Sequence, residues 1–571
     1  MYKQLGKQVL RGKIFIFLLL LLTFLTSLSF FFVRFSIDGN LENLQNASML
    51  SADQIRYHTA LESNISLAYT FLLSMSGLSS FIFILFFYRF FRANRKQLGC
   101  IKALGFSDNE ISIFFLHFTA IISLVGALPG IWAGYCMSDI LIRANMQSYN
   151  VDHLVKSVYP STLLIGIGAT TLAYVLISLL CTFMIRGKEI GALITGQTQN
   201  NRFSVLLKIS DKIVSILPIK NKFPLRIALR KPVAVLLIFA AVMSFSICMI
   251  ISRSLNLSCQ QVYESQIQGR QYAFEVLYPE YQYDLPEGSD HIAYLKQKGL
   301  LITDKYELEQ NIVAIHHYNE LFVFDAQGIP RYGEMIIGPG LADVYGLDKS
   351  DVAEIRVNDQ SMTLTVIDIA HNAESNTLYI HIDALTEMLG TEESAYNGLF
   401  AESLYTLTQI YMNDDTIVVS EEERLDHLER EAVSNNTSAV INQVIGAVVG
   451  CVLIFLALYI NFLDNTRDML ILHMMGHKIK TIRKTLIDVY LPIVWISFFA
   501  SLYPAIVIVR SIHRSLSITT KDYIPFTIDP LSLVIFFIIL NILYLLVQSI
   551  FALFIKRIIA KENITEYTAF E

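Results

Sequence analysis

The residue types that do covalent or metal chemistry are present in this chain, but not at working spacings. No Gly-x-x-x-x-Gly-Lys-Ser/Thr loop occurs, so the chain is not expected to hold ATP by itself. Gly12-Lys13 and Gly187-Lys188 lack both the spacing and the hydroxyl. No His-Glu-x-x-His occurs, and His316 and His317 are adjacent, which on a strand sends them to opposite faces. Neither a metal site nor a catalytic pair is expected. Glu421, Glu422 and Glu423 read as the acidic first turn of a helix. His117 and Asp488 lie near the ends of apolar runs, where an ionisable group is a functional candidate or simply snorkels to the interface.

What does recur is a surface for contact. Lys96 to Gly105 reads Lys-Gln-Leu-Gly-Cys-Ile-Lys-Ala-Leu-Gly, and Arg467 to Gly476 reads Arg-Asp-Met-Leu-Ile-Leu-His-Met-Met-Gly. Anchored on the closing glycines, Lys96 meets Arg467, Gln97 meets Asp468, Leu98 meets Met469, Lys102 meets His473 and Leu104 meets Met475. Each begins with a cation, continues with an apolar stripe at helical spacing and stops at Gly: an amphipathic helix with a glycine C-cap.

The first stretch resembles the cytoplasmic loop of the FtsX and MacB type of ABC transporter permease. Lys96, Gln97, Leu98, Gly99, Lys102, Ala103, Leu104 and Gly105 carry the likeness. The second copy departs from it, with Leu470 and Met474 in place of the inner Gly and the Ala. The resemblance implies that both loops dock on a separate ATPase, which would bind the ATP and Mg. The small Gly99 and Ala103 would let that partner approach closely at the first loop. Two halves in one chain imply two ATPase subunits per permease.

The elements that carry these loops are apolar. Of 571 residues 53% are hydrophobic and 16% charged, against about 25% charged in soluble proteins. Eight runs of about 20 residues or more are long enough to span a membrane. They cover about 14–33, 65–88, 111–138, 161–185, 232–252, 438–463, 489–509 and 531–555. Segment 186–231 carries ten Lys or Arg against two acids. With the basic N-terminus, 89–110 and 464–488, it is expected on the cytoplasmic side, with both termini inside. The first run is expected to stay as a helix, since Phe30, Phe31 and Phe32 stand where a signal peptide would have small residues.

The halves repeat. Gly126, Gly130 and Gly134 follow Gly105 by the same offsets at which Ser497, Ser501 and Ala505 follow Gly476. Such a ladder of small residues brings one face of a span close to a neighbouring helix. Pro160 and Pro530 open the fourth and eighth spans. Leu225 to Arg230 forms a basic lead-in to the fifth span, and residues 3–13 are placed to do the same for the first. Residues 1–200 and 232–571 are then two permease halves, joined by a cytoplasmic linker at 201–231.

Segment 253–437 holds 10 Lys or Arg and 32 Asp or Glu, a balance of −22 in a chain of −6. Its β-rich runs are Gln271–Tyr278, Leu321–Phe324, Met362–Ile369, Leu378–Ile382 and Thr416–Val419, and Glu421–Ser434 reads as helix. The expected fold is a polytopic α-helical membrane protein with eight transmembrane helices in two 1+3 repeats. A large extracytoplasmic α+β domain is inserted between helices 5 and 6. Cys259 is the one cysteine clearly in that domain, so no intrachain disulfide is expected there.

The chain also resembles BceB-type antimicrobial-peptide permeases in joining two halves and one outer domain, but those have ten spans. The implied function is the membrane subunit of an ATP-driven transporter in a bacterial cytoplasmic membrane, not itself an enzyme. It would export an amphipathic peptide, antimicrobial or lipid, or extract it from the outer leaflet. The alternative is a mechanotransmitting or sensory protein that controls a cell-wall hydrolase or histidine kinase. No nucleic-acid partner is expected.

Overall fold

The computed structural model describes residues 13–46, 52–149, 151, 153–183, 190–195, 232–284, 288, 290–303, 307–358, 360–409, 416–464, 466–486, 488–520 and 523–560. Residues 3–12, Lys188-Glu189, the 201–231 linker with its Leu225–Arg230 lead-in, and 561–564 lie outside these.

The first half runs α1 (Lys13–Gln45), α2 (Ala52–Ala93), α3 (Arg95–Ala103), α4 (Asp108–Tyr149), α5 (Pro160–Thr182) and α6 (Ile190–Thr195). Leu, Ile and Phe dominate α1, and most of its apolar side chains are buried, against α2 and α4. Proline at the first position starts α5, where its missing N–H costs no hydrogen bond. The second half begins with α7 (Pro232–Ile267).

A sheet domain follows, with β1 (Phe274–Gln282), β2 (His291–Ile302), β3 (Glu307–Ile315), β4 (Glu334–Ile337), α8 (Pro339–Tyr345), β5 (Val352–Val357), β6 (Gln360–Ile369), β7 (Thr377–Ile380), α9 (Ile382–Leu389), β8 (Tyr396–Ala401), α10 (Leu404–Gln409) and β9 (Ile417–Ser420). The strand order is β3-β7-β4-β6-β5-β2-β8-β1-β9, and β2 also pairs with β3. The first six strands therefore close into a barrel. Long β2 makes the closure. It pairs with β3 from Tyr294 to Ile302, with β5 at Leu300–Ile302 and with β8 at His291–Tyr294. Strands β3 and β7, and β4 and β6, run parallel. Alternate residues fill the interior: Ile312 and Ala314, Ala353, Ile355 and Val357, Leu364 and Val366, Leu378 and Ile380. Leu385 and Met388 of α9 join the same cluster.

The opposite face carries stacked rings. Tyr272 and Phe400 lie 4.2 Å apart between centroids, and Tyr294, Phe322 and Tyr379 belong to the same cluster. Leu321–Phe324 is not a strand. Only Phe322 bridges, to Arg270, because the adjacent Leu321 and Phe322 both turn into the ring cluster, which alternation would forbid. Met362–Ile369 and Thr416–Val419 fall largely within β6 and β9, and Leu378–Ile382 spans the end of β7 and the start of α9.

The chain returns through α11 (Glu421–Asp464), which begins at the acidic turn and continues unbroken. It is followed by α12 (Thr466–Met474), α13 (Ile479–Leu486), a 3-10 turn at Asp488–Tyr490, α14 (Leu491–Thr520) and α15 (Pro530–Ala560). Among the described residues six helical stretches are long and apolar enough to cross a membrane: Ile16–Gln45, Asp108–Tyr149, Pro160–Thr182, Ile238–Ile267, Ile479–Ile518 and Pro530–Phe554. The other two expected runs, 65–88 and 438–463, lie inside α2 and α11. The halves cross over: α11 packs against α4, and α14 against α2. All six cysteines are free.

Candidate coupling site

Helices α3 and α12 end in the same way. Gly105 (φ +91°) and Gly476 (φ +84°) adopt the left-handed conformation that glycine tolerates best. In the first copy the Gly105 N–H reaches the Lys102 carbonyl at 3.0 Å, and the Phe106 N–H the Ile101 carbonyl at 3.4 Å. In the second, Gly476 reaches His473 at 2.9 Å and His477 reaches Leu472 at 3.0 Å. Both are Schellman motifs, which satisfy the last carbonyls and turn the chain back toward the next span.

The two helices also bury the same side. Leu98 and Met469 are buried, whereas Leu104 and Met475 are 75% and 70% exposed. The exposed surface adds Lys96, Cys100 and Ala103 in the first copy, and Ile471, His473 and Met474 in the second. It is an apolar corner edged with cations, suited to contact rather than catalysis.

Three expected contact residues behave otherwise. Gly99 is buried with Leu98 and Ile101, and α3 packs against α6, so Gly99 makes room inside the permease and not for a partner. Lys102 folds back onto Asp108 at 2.7 Å and is 10% exposed. Gln97 is half-buried, and its Oε1 finds no donor among the described residues. The side chains of Arg467, Asp468 and Leu470 lie outside the described ones.

The corners lead into different structures. Ser107 and Glu110 form a capping box, with Ser107 N–H to Glu110 Oε2 at 2.9 Å and Glu110 N–H to Ser107 Oγ at 3.3 Å, and α4 then runs unbroken to Tyr149. In the second half the path breaks into α13, a 3-10 turn and α14. Pro492 lacks an N–H, and its ring would clash with the Asp488 carbonyl in a continuous helix. Asp488 is tied to Arg483 at 3.5 Å and to Gln548, and His117 Nδ1 lies 2.8 Å from its own helix at Ile113. Both groups have structural partners.

The small-residue ladders face the first span of their own half. A Cβ on Gly130 would stand 2.7 Å from the Phe24 carbonyl oxygen, and one on Gly134 2.9 Å from the Phe32 nitrogen, both on α1. A Cβ on Gly126 would meet the Leu20 carbonyl at 3.0 Å. Ser497, Ser501 and Ala505 are buried, α14 packs on α7, and Ser501 Oγ lies 3.3 Å from Ser246 Oγ.

One repeated feature was missed in the sequence. At the far end of α1, Arg34 pairs with Asp38 at 2.7 Å, and Asp38 accepts from Thr162, two residues after Pro160. At the matching place on α7, Arg253 reaches Asp529 at 3.2 Å and Ser532 at 3.0 Å, two residues after Pro530. The first span of each half is thus tied to the start of its last, through Asp38 braced by Arg34 in the first half and directly through Arg253 in the second. The matching Pro-x-Thr and Pro-x-Ser were the available signal.

The sheet domain is held at both its stalks and on α14. Arg424 of α11 lies 4.6 Å over the Tyr272 ring and donates to its hydroxyl. Burial pushes the Tyr272 phenol up to about 12. Arg270, just beyond α7, stands 5.8 Å over Phe322. Arg514 Nε of α14 donates to the Val344 carbonyl of α8 at 2.8 Å, and Tyr523 donates to Asp343. Among the described residues no group of three or more His, Cys, Asp or Glu is placed to hold a metal. His316 and His317 lie just past the end of β3, and His316 Nε2 is 2.9 Å from the Ala395 carbonyl.

No curated protein matches the chain. Residues 69–190, which run from within α2 through α3, α4 and α5 to the start of α6, match the FtsX-like permease C-terminal family. The chain is thus a multi-pass helical membrane protein in which residues 69–190 are similar to the FtsX-like permease C-terminal family.

Proposed function

We propose that this protein is the permease subunit of an ATP-binding-cassette transporter with eight spans and the sheet domain outside. ATP would be hydrolysed by two subunits of a separate ATPase docked on the Gly105 and Gly476 corners, in the cytoplasm with both termini. The work would move the sheet domain, to export an amphipathic peptide, antimicrobial or lipid or to lift it from the outer leaflet. The observation that carries the reading is the placement of α14. Its start follows the second corner through α13, and its far end holds α8 through Arg514, with Tyr523 just beyond the helix adding a second bond. Thirty residues of helix span about 45 Å, enough to carry a displacement from one side of a bilayer to the other.

The test is retention of an ATPase chain by the tagged permease purified from its host. Ala103→Glu places a carboxylate in the proposed contact. Burying it unpaired costs several kcal/mol, on the order of a thousandfold in affinity. Met474→Glu should weaken retention less, since the small Ala103 lets a partner approach more closely than the long Met474 does. With Gly99 turned inward, that difference rests on Ala103 alone. Full retention by Ala103→Glu with unchanged helix content would refute docking at this corner.

A further inference from the structure

The two corners match in cap, burial and position, but not in the charge that follows them. After Gly105 come Ser107, Asp108, Asn109 and Glu110, whose acids cap α4 and pair with Lys102. After Gly476, the corresponding stretch is Lys478-Ile479-Lys480-Thr481-Ile482-Arg483-Lys484. Ile482 is 1% exposed and Ile479 half-buried in the permease core, so the apolar side of α13 is already covered by protein. Lys478, Lys480 and Lys484 are exposed and have no ion-pair partner among the described residues. Helix α13 packs against α15, which carries another exposed cation, Lys556.

We propose that this basic face of α13 binds the headgroups of anionic phospholipids. The corner itself does not require the cations, because the first half builds the same turn with acids. A pair of identical docked subunits does not account for them either, since it would meet both corners alike. Their height favours lipid. Lys484 lies five residues before Val489, where the apolar run begins. At the 1.5–2 Å per residue of α and 3-10 helix this is at most about 10 Å, within a lysine's reach of a headgroup layer. A lysine near an anionic surface contributes about 1 kcal/mol, or about fivefold in affinity. Three together give on the order of a hundredfold at low salt, falling as salt screens them.

The experiment uses the full chain in neutral detergent, titrated with fluorescent phosphatidylglycerol and phosphatidylcholine at low and high salt. Wild type should bind phosphatidylglycerol in preference, and lose that preference at high salt. The triple variant Lys478→Gln, Lys480→Gln, Lys484→Gln should lose on the order of a hundredfold, while Lys→Arg at the same three positions should retain binding. An undiminished preference in the Gln variant, at wild-type helix content, would overturn the proposal. Equal displacement of the lipid by millimolar inorganic phosphate would also overturn it, by revealing a free-anion site. So would loss of a bound ATPase by the Gln variant with its lipid binding intact. The lipid titration needs no ATPase, so it stands or falls separately from the docking reading.

Discussion

Replacing Gly130 by alanine adds one methyl group where α1 and α4 touch through backbone. The added carbon would lie 2.7 Å from the Phe24 carbonyl oxygen, 2.7 Å from Ser27 Cβ and 3.2 Å from the Leu28 nitrogen. Two of the three are backbone atoms, so no side-chain rotation relieves the clash. The helices must separate by most of an ångström, along a face that also seats Gly126 and Gly134. Overpacking of this kind costs about 1–3 kcal/mol. Gly168 of α5 is the control, since a Cβ there meets nothing within 4 Å. Alanine at that exposed helical position should instead stabilise by about 0.5–1 kcal/mol, through lower entropy of the unfolded chain. The two substitutions are chemically identical and should differ by about 2–4 kcal/mol in opposite directions. Reversible unfolding in mixed micelles, followed by helix signal, measures both. If Gly130→Ala proved as stable as Gly168→Ala, close packing of α4 on α1 would be refuted.

Gly105→Ala and Gly476→Ala force a side chain into left-handed backbone and should each cost about 1 kcal/mol, read as earlier unfolding in the same assay; two unchanged midpoints would argue against the paired caps. Arg514→Ala removes a charged donor from the Val344 carbonyl, worth about 1.5–3 kcal/mol locally, and should speed hydrogen exchange in α8 about tenfold or more while leaving β6 unchanged. Burial opposes ionisation of Asp368, but the Lys349 ammonium and the N–H groups of Gln327 and Ile369 outweigh it and hold its carboxyl below the ordinary aspartate value of 3.8. Its folded pKa is thus depressed, so its stabilisation is present above about pH 3.8 and is lost as pH falls through the lower folded value. Asp368→Asn should lower the thermal midpoint at pH 7 and converge with wild type in stronger acid; a constant gap across that range would refute the assignment.

The membrane part was largely legible because its signals are local and repeat. Gly105 and Gly476 announced caps, and the ladders at equal offsets announced close faces; both are backbone demands that few other residues meet. Gly99 misled because one small residue fits two neighbours, and sequence does not say whether α6 or a partner lies above it. The sheet domain was less legible. Strand β2 is buried on both faces over its first half, so His291–Leu295 shows no alternation. The closure of the barrel depends on β2 touching β3, β5 and β8, and on β3 lying parallel to β7, far along the chain. No local pattern encodes such distant pairings. The ties of Asp38 to Thr162 and of Arg253 to Asp529 were missed for a related reason: each joins residues far apart in the chain.

The break at Asp488–Tyr490 gives the two halves different stiffness. In the first half a push at the Gly105 corner would enter α4 directly, the one proline inside that helix being Pro129, well beyond its capped start. In the second, the same push at Gly476 first crosses a turn whose hydrogen bonding is relaxed by Pro492, and only then reaches the helix that bears on α8. The half that carries the external load is thus the compliant one. Under the proposed function, a displacement of the sheet domain would be taken up as bending at Asp488–Tyr490 before it reached the α12 corner, a joint that the capped start of α4 lacks. Two corners that match in cap and burial would then differ in the joint that follows them.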